Sequence, residues 1–81
     1  MSKIIVVVAE GCPHCKILVN KAKIMFGDIE VRDVTKDDFA VELVMKSGML
    51  SVPLIFRIDD EKACLLNDDF SIDKCFKIKE K

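Results

Sequence analysis

One stretch near the amino terminus limits the fold more than any other. Ile4-Ile5-Val6-Val7-Val8-Ala9 is an unbroken, mostly β-branched run, and Glu10-Gly11 halts it immediately before Cys12-Pro13-His14-Cys15. An apolar run of this length without alternation suits a strand covered on both faces, at the centre of a parallel or mixed sheet. Pro13 then stands where a first helical turn tolerates it, because its missing N–H would have had no partner there. From Pro13 to about Met25, Ile17, Leu18, Ala22, Ile24 and Met25 recur at helical spacing, with Lys16, Asn20, Lys21 and Lys23 on the other side. A strand that feeds a helix through a C-x-x-C is therefore the first element pair.

The rest of the chain continues that alternation. Phe26-Gly27-Asp28 ends the helix, and Ile29, Val31 and Val34 among Glu30, Arg32 and Asp33 predict a second strand. Thr35 is the expected N-cap of a second helix, with Asp37 and Asp38 in its first turn. Phe39, Ala40, Leu43 and Val44 carry that helix to about Lys46, and Ser47-Gly48 closes it. After Val52-Pro53, Leu54 to Ile58 predicts a third strand, a polar turn spans Asp59 to Lys62, and Ala63 to Leu66 predicts a fourth. Asn67, Asp68 and Asp69 offer caps for a final helix through about Lys77, with Phe70, Ile72, Cys75, Phe76 and Ile78 as its apolar positions. Phe39, Phe56, Phe70 and Phe76 read as core, and Lys77 to Lys81 as a solvated helix end. The expected order is β-α-β-α-β-β-α, a four-stranded mixed sheet flanked by three helices, in one domain over residues 1–81.

Composition excludes several function classes. In 81 residues, 51% are hydrophobic and the charges nearly cancel to −1, so the chain can build one core and has no basic excess to neutralise phosphates. Nucleic acid is not an expected partner. No apolar run approaches the ~18 residues of a membrane span, and the opening hexamer is shorter than a signal-peptide core. The expectation is a cytoplasmic monomer. In that compartment structural disulfides are rare, and a close cysteine pair points to redox or metal chemistry.

The junction itself suits redox chemistry. A first helical turn leaves N–H groups unpaired and carries the positive end of the helix dipole, so a thiol there gains most when ionised. The thiolate is the attacking species in disulfide exchange. Cys12 is the expected nucleophile, and Cys15, one turn on, the resolving thiol that frees the partner. Pro13 stiffens the turn. His14, when protonated, would favour the Cys12 thiolate, or it is simply a solvated helix-start residue; Glu10 acts in the opposite sense. A structural zinc site wants four ligands, usually two close pairs, and Cys64, Cys75 and His14 supply no second close pair. Redox use of the pair is thus favoured over metal. Cys64 and Cys75 read as buried small apolar residues; a second disulfide between strand four and the last helix would need Cα atoms within ~7 Å.

With these residues in view, the chain resembles the glutaredoxin family and its archaeal and bacterial glutaredoxin-like relatives. Gly11-Cys12-Pro13-His14-Cys15 is similar to the family's active-site loop, and Ser47-Gly48-Met49-Leu50-Ser51-Val52-Pro53 to its T/S-G-x-x-T-V-P segment. The resemblance implies a thioredoxin-like fold and thiol–disulfide oxidoreductase activity. It implies a cis Pro53 beside the cysteines, where spacing alone would also allow an ordinary trans proline at a strand start. It further implies substrate contacts at Gly11, Val52, Pro53 and Asp68, with the Val52 backbone pairing to a bound partner. Asp68 and Asp69 read first as helix caps and second as contacts for a substrate amine. Two departures bear on substrate. Ala9 stands where glutathione-binding members carry Lys, and Leu65-Leu66-Asn67-Asp68-Asp69 lacks their paired glycines, so a tripeptide backbone cannot approach as closely. Met49-Leu50 would suit a protein surface, or would simply pack. The expected activity is dithiol exchange with protein disulfides, recharged by an upstream reductase, with no bound cofactor beyond the Cys12–Cys15 disulfide. The alternatives are glutathione-dependent deglutathionylation through Cys12 alone and a non-catalytic metal-binding module.

Overall fold

A computed structural model of the chain describes residues 2–78. The apolar run forms β1 (Ser2–Val8), which pairs in parallel with β2 (Glu30–Asp33) and antiparallel with β3 (Leu54–Asp59). Being interior to the sheet, β1 must be apolar on both sides. Ile4 and Val6 face α1 (Pro13–Phe26), where they pack with Leu18 and Ala22. Ile5 and Val7 face α2 (Asp38–Ser47), where Ala40, Leu43, Phe56 and Ile58 complete the larger cluster. The absence of alternation in the sequence is the direct consequence of helices on both faces.

β3 continues through β4 (Lys62–Leu66) to β5 (Ile72–Lys77), both pairings antiparallel, and the sheet order is β2-β1-β3-β4-β5. The expected terminal helix is therefore a strand, and the chain has five strands and two helices among the described residues. Two local interactions turn it away from helix. Asp69 Oδ1 accepts from the Ser71 amide at 3.0 Å and from its hydroxyl at 2.6 Å, closing a tight turn instead of capping a helix. Phe70 adopts φ 70°, outside the helical region. Beyond it, Phe76 and Ile78 alternate into the α2-side core while Cys75 points to the other face, opposite Cys64. Ile72, Cys75 and Phe76 also fit helical spacing, which is why periodicity over so short a run did not discriminate.

Without a third helix, the α1 face of the sheet is covered by α1 and by Phe70, which packs against the α1-side cluster and meets Phe26 edge-on at 5.3 Å. Of the four phenylalanines read as core, Phe56 is fully buried, Phe39 and Phe76 are partly buried against the same α2-side cluster, and Phe70 is partly buried against the α1-side cluster. Residues 79–81 of the lysine-rich tail lie outside the described residues; Lys77 ends β5 instead of a helix.

The second helix starts two residues later than Thr35 predicts. Thr35 donates its hydroxyl and amide to Asp33 at 2.6 and 2.8 Å. Asp37 takes the cap, accepting from the amides of Phe39 and Ala40 and from Arg32 of β2 at 2.8 Å. Arg32 also meets Glu30 and lies over the Phe39 ring, so one guanidinium ties β2 to the start of α2.

Candidate redox site at the first strand-to-helix junction

The loop from β1 to α1 turns at Gly11, whose φ of 74° lies in the left-handed region. A Cβ there would meet open space, so the glycine serves the backbone and not a close approach. Cys12 follows in extended conformation, φ −103° and ψ 101°, as the N-cap of α1, and Pro13 opens the helix. The Cys12 sulfur accepts from the Cys15 amide at 3.2 Å, the place a Ser or Asp oxygen takes in an ordinary cap. The two cysteines form a disulfide with Cα atoms 5.4 Å apart. Cys12 is partly exposed, whereas Cys15 is buried on the sheet side of the helix. No acidic residue lies in the first turn of α1, where His14 and Lys16 are both exposed. Attack from outside can thus reach Cys12, and Cys15 is placed to answer only to Cys12.

Register brings the second candidate segment to the same end of the sheet. Val7 pairs with Leu54, which sets Pro53 level with the last residue of β1 and next to the cysteine loop. The Val52–Pro53 bond is cis. The lead-in is anchored at the end of α2: Gly48 takes φ 77°, and the buried Ser47 hydroxyl donates to the Val44 carbonyl at 2.7 Å and accepts from the Met49 amide at 3.2 Å. Ser47 stands out in the sequence as the residue before Gly48 and as the first of the T/S-G-x-x-T-V-P-like segment, but neither reading announces a buried hydroxyl that holds the loop. Leu66 pairs with Ile55, so the loop after β4 also returns to this end. Asp68 and Pro53 line one groove of about 560 Å³, together with Met49 and with Leu18, one turn beyond Cys15. Leu50 is 99% exposed and packs on nothing. A larger open cavity of about 1000 Å³ lies elsewhere, lined by Ser2, Phe26, Arg57 and Asp60, with no nucleophilic thiol in it.

Cys64 and Cys75, read first as buried small apolar residues with a second disulfide left open, form that disulfide between directly opposed residues of β4 and β5, Cα atoms 4.0 Å apart. Cys64 is buried, but Cys75 is exposed. The partner element is a strand and not the expected helix, and only the strand register makes the pair. Among the described residues no group of three His, Cys, Asp or Glu side chains could hold a metal ion, and each cysteine pair is closed as a disulfide.

No family model and no curated protein matches the chain. Among solved structures it is similar to a mutant form of the thioredoxin-like protein BC3987, with 27% identity over 72% of this chain and 85% of that one, at a TM-score of 0.58. The fold is thioredoxin-like. A second likeness, to the oxidised C-terminal domain of Neisseria meningitidis DsbD, covers 99% of this chain and 70% of that one at 15% identity and a TM-score of 0.49. Relative to the expected four strands and three helices, the thioredoxin-like core of this chain exchanges its last helix for an edge strand. Among the described residues no helix is long and apolar enough to cross a membrane.

Proposed function

We propose that the chain is a glutaredoxin-like thiol–disulfide oxidoreductase that exchanges electrons with protein disulfides. The observation that carries this reading is the asymmetry of the pair: a partly exposed Cys12 sulfur that caps α1, bonded to a buried Cys15. In the reduced protein the same amide that now donates to Cys12 Sγ favours its thiolate, together with the helix dipole. That thiolate attacks one sulfur of a substrate disulfide, forming a mixed disulfide and releasing the first substrate thiolate. The Cys15 thiolate then attacks Cys12 Sγ, the second substrate thiolate leaves, and the Cys12–Cys15 disulfide forms. Two electrons have passed to the substrate, and an upstream dithiol reductase returns the pair to its starting state. The pair itself stores the electrons, and no bound cofactor is called on.

Pro53 and Asp68, which line the groove, and the backbone of Val52, whose side chain packs on the α2-side core, are assigned to the substrate's flank, with the exposed Leu50 as an apolar contact. Ala9, where glutathione-binding glutaredoxins carry Lys, and Leu65-Leu66-Asn67-Asp68-Asp69, which lacks their paired glycines, favour a protein partner over glutathione. The test is turnover of a disulfide-bonded protein substrate in the presence of a dithiol donor. Cys12→Ser is expected to lose activity by at least a hundredfold, and Cys15→Ser to accumulate a mixed disulfide through Cys12, visible by mass. Full turnover by Cys12→Ser, or glutathione-linked turnover undiminished in Cys15→Ser, would overturn the dithiol reading.

A further inference from the structure

The Cys64–Cys75 disulfide has the surroundings of an exchange site and not only of a staple. It sits on the α1 face of the sheet in a row that runs Ile4, Arg57, Cys64, Cys75 across β1, β3, β4 and β5. β5 is the last strand, so nothing of the sheet lies beyond Cys75. A thiolate must approach a disulfide along the line of the S–S bond, opposite the leaving sulfur. Cys75 stands on the edge strand and Cys64 on the strand inside it, so no further strand lies outward of Cys75, while β3 and Arg57 flank Cys64 on its inner side. Exposure agrees: Cys75 is exposed, and Cys64 retains 3%. Charge agrees as well. Lys62 and Lys77 oppose each other one step along the same face, two residues from Cys64 and Cys75; Arg57 pairs with Cys64 across the strands, but its guanidinium turns away to Ser2 on β1. Asp59, which meets Arg57, and Asp73 supply the opposing charge. Nearby cations favour a departing thiolate.

We propose that Cys64–Cys75 is a second thiol–disulfide exchange site, entered at Cys75 from the free edge of the sheet, with Cys64 as the leaving group. An external dithiol is the co-reactant. Its thiolate bonds to Cys75 Sγ as the Cys64–Cys75 bond breaks and Cys64 departs as a thiolate. The dithiol's second thiolate then closes its own disulfide and frees Cys75. The reductant loses two electrons, the protein gains them, and solvent protonates the thiolates. This site works apart from Cys12–Cys15: Cys64 lies two strands across from β1 and level with Ile4, four residues short of the end of β1 at Val8, roughly 10 Å across and at least about 13 Å along, too far for the two pairs to meet.

The experiment treats the intact protein with dithiothreitol or reduced glutathione, quenches with acid, alkylates and digests with trypsin. Cleavage after Lys74 puts Cys64 and Cys75 on different peptides, and cleavage after Lys16 leaves Cys12 and Cys15 on a third, so each site is scored independently of the other. The second-order rate of opening by dithiothreitol in the folded protein is expected within a hundredfold of that in urea. The glutathione adduct is expected on Cys75 over Cys64 by at least tenfold. Replacing Lys62 and Lys77 by Gln should slow opening at least threefold. A folded-state rate suppressed by more than a hundredfold, as for a bond reached only through the unfolded chain, overturns the proposal. So does an adduct chiefly on Cys64, or a rate indifferent to the two lysines.

Discussion

Cys12 does the work of a capping residue with sulfur in place of oxygen. A neutral thiol is a weak acceptor; a thiolate is a strong one, so the cap is worth more after the proton has left. Helix formation and thiol acidity are thereby coupled through a single N–H from Cys15. In fully reduced protein, the rate at which iodoacetamide alkylates Cys12 is expected to inflect with pH below the ordinary thiol value of about 8.5. Cys15, 4% exposed, should react at least tenfold more slowly than Cys12 at every pH. Equal rates for the two, or an inflection at or above the ordinary value, would remove the physical basis of the nucleophile assignment. Peptide-resolved mass spectrometry of partially alkylated protein separates these outcomes.

At the scale of elements, α2 shows how one carboxylate can set a boundary. Partial burial pushes the Asp37 carboxyl up, but hydrogen bonds from Arg32, Ala40 and Phe39 and the Arg32 charge outweigh it and hold the group below its ordinary value. Such a depressed carboxyl stabilises the fold at pH above its unfolded value of about 3.9, and the contribution is lost as pH falls through the lower folded value. Asp37→Ala is expected to cost about 1 kcal/mol at neutral pH. Asp37→Asn keeps the Oδ1 cap and loses the charge together with the hydrogen bond that Oδ2 accepts from Arg32, so its deficit is smaller than that of Asp37→Ala. In urea melts across pH, the gap between Asp37→Asn and the parent protein should close below about pH 4. A gap that stays constant into acid would mean that the carboxylate charge contributes nothing. The hydroxyl and amide hydrogen bonds from Thr35 to Asp33, and from Ser71 to Asp69, hold those carboxyls low in the same direction, each at an exposed turn.

Across the whole molecule, the sheet separates two cores of unequal weight. Among the described residues the α2-side hydrophobic cluster has ten buried members, Phe56 at its centre with the Phe76 ring edge-on at 6.1 Å, and the α1-side cluster has six. The α2-side core also receives Ile78 from beyond β5, so the last strand is tied in by packing on one face and by the Cys64–Cys75 bond on the other. Truncating a fully buried Phe typically costs about 3–5 kcal/mol, a large share of the stability of a small domain. Phe56→Ala is therefore expected to lower the urea midpoint severely or abolish the cooperative transition, whereas truncating the half-buried Phe70 should cost clearly less. Equal losses at the two positions would show that the α1-side cover matters as much as the larger core.

What could be read along the chain was whatever depends on neighbours in sequence. The unbroken run Ile4 to Ala9 suits an interior strand, Pro13 and the apolar spacing after it suit a helix, and Cys12 falls at their junction by that logic alone. Gly48 after Ser47 marks the end of α2 in the same way. Other features needed partners distant in sequence. The run from Ile72 to Ile78 satisfies helical and alternating patterns almost equally, and only the β4 register, with Phe76 over the core and Cys75 opposite Cys64, makes it a strand. Thr35 and Asp37 are both good caps by type; Arg32 reaching from β2 is what favours Asp37. Local preferences of this kind differ by a few tenths of a kcal/mol to about 1, and a single buried side chain outweighs them. For that reason the first disulfide belongs to the sequence and the second to the tertiary structure.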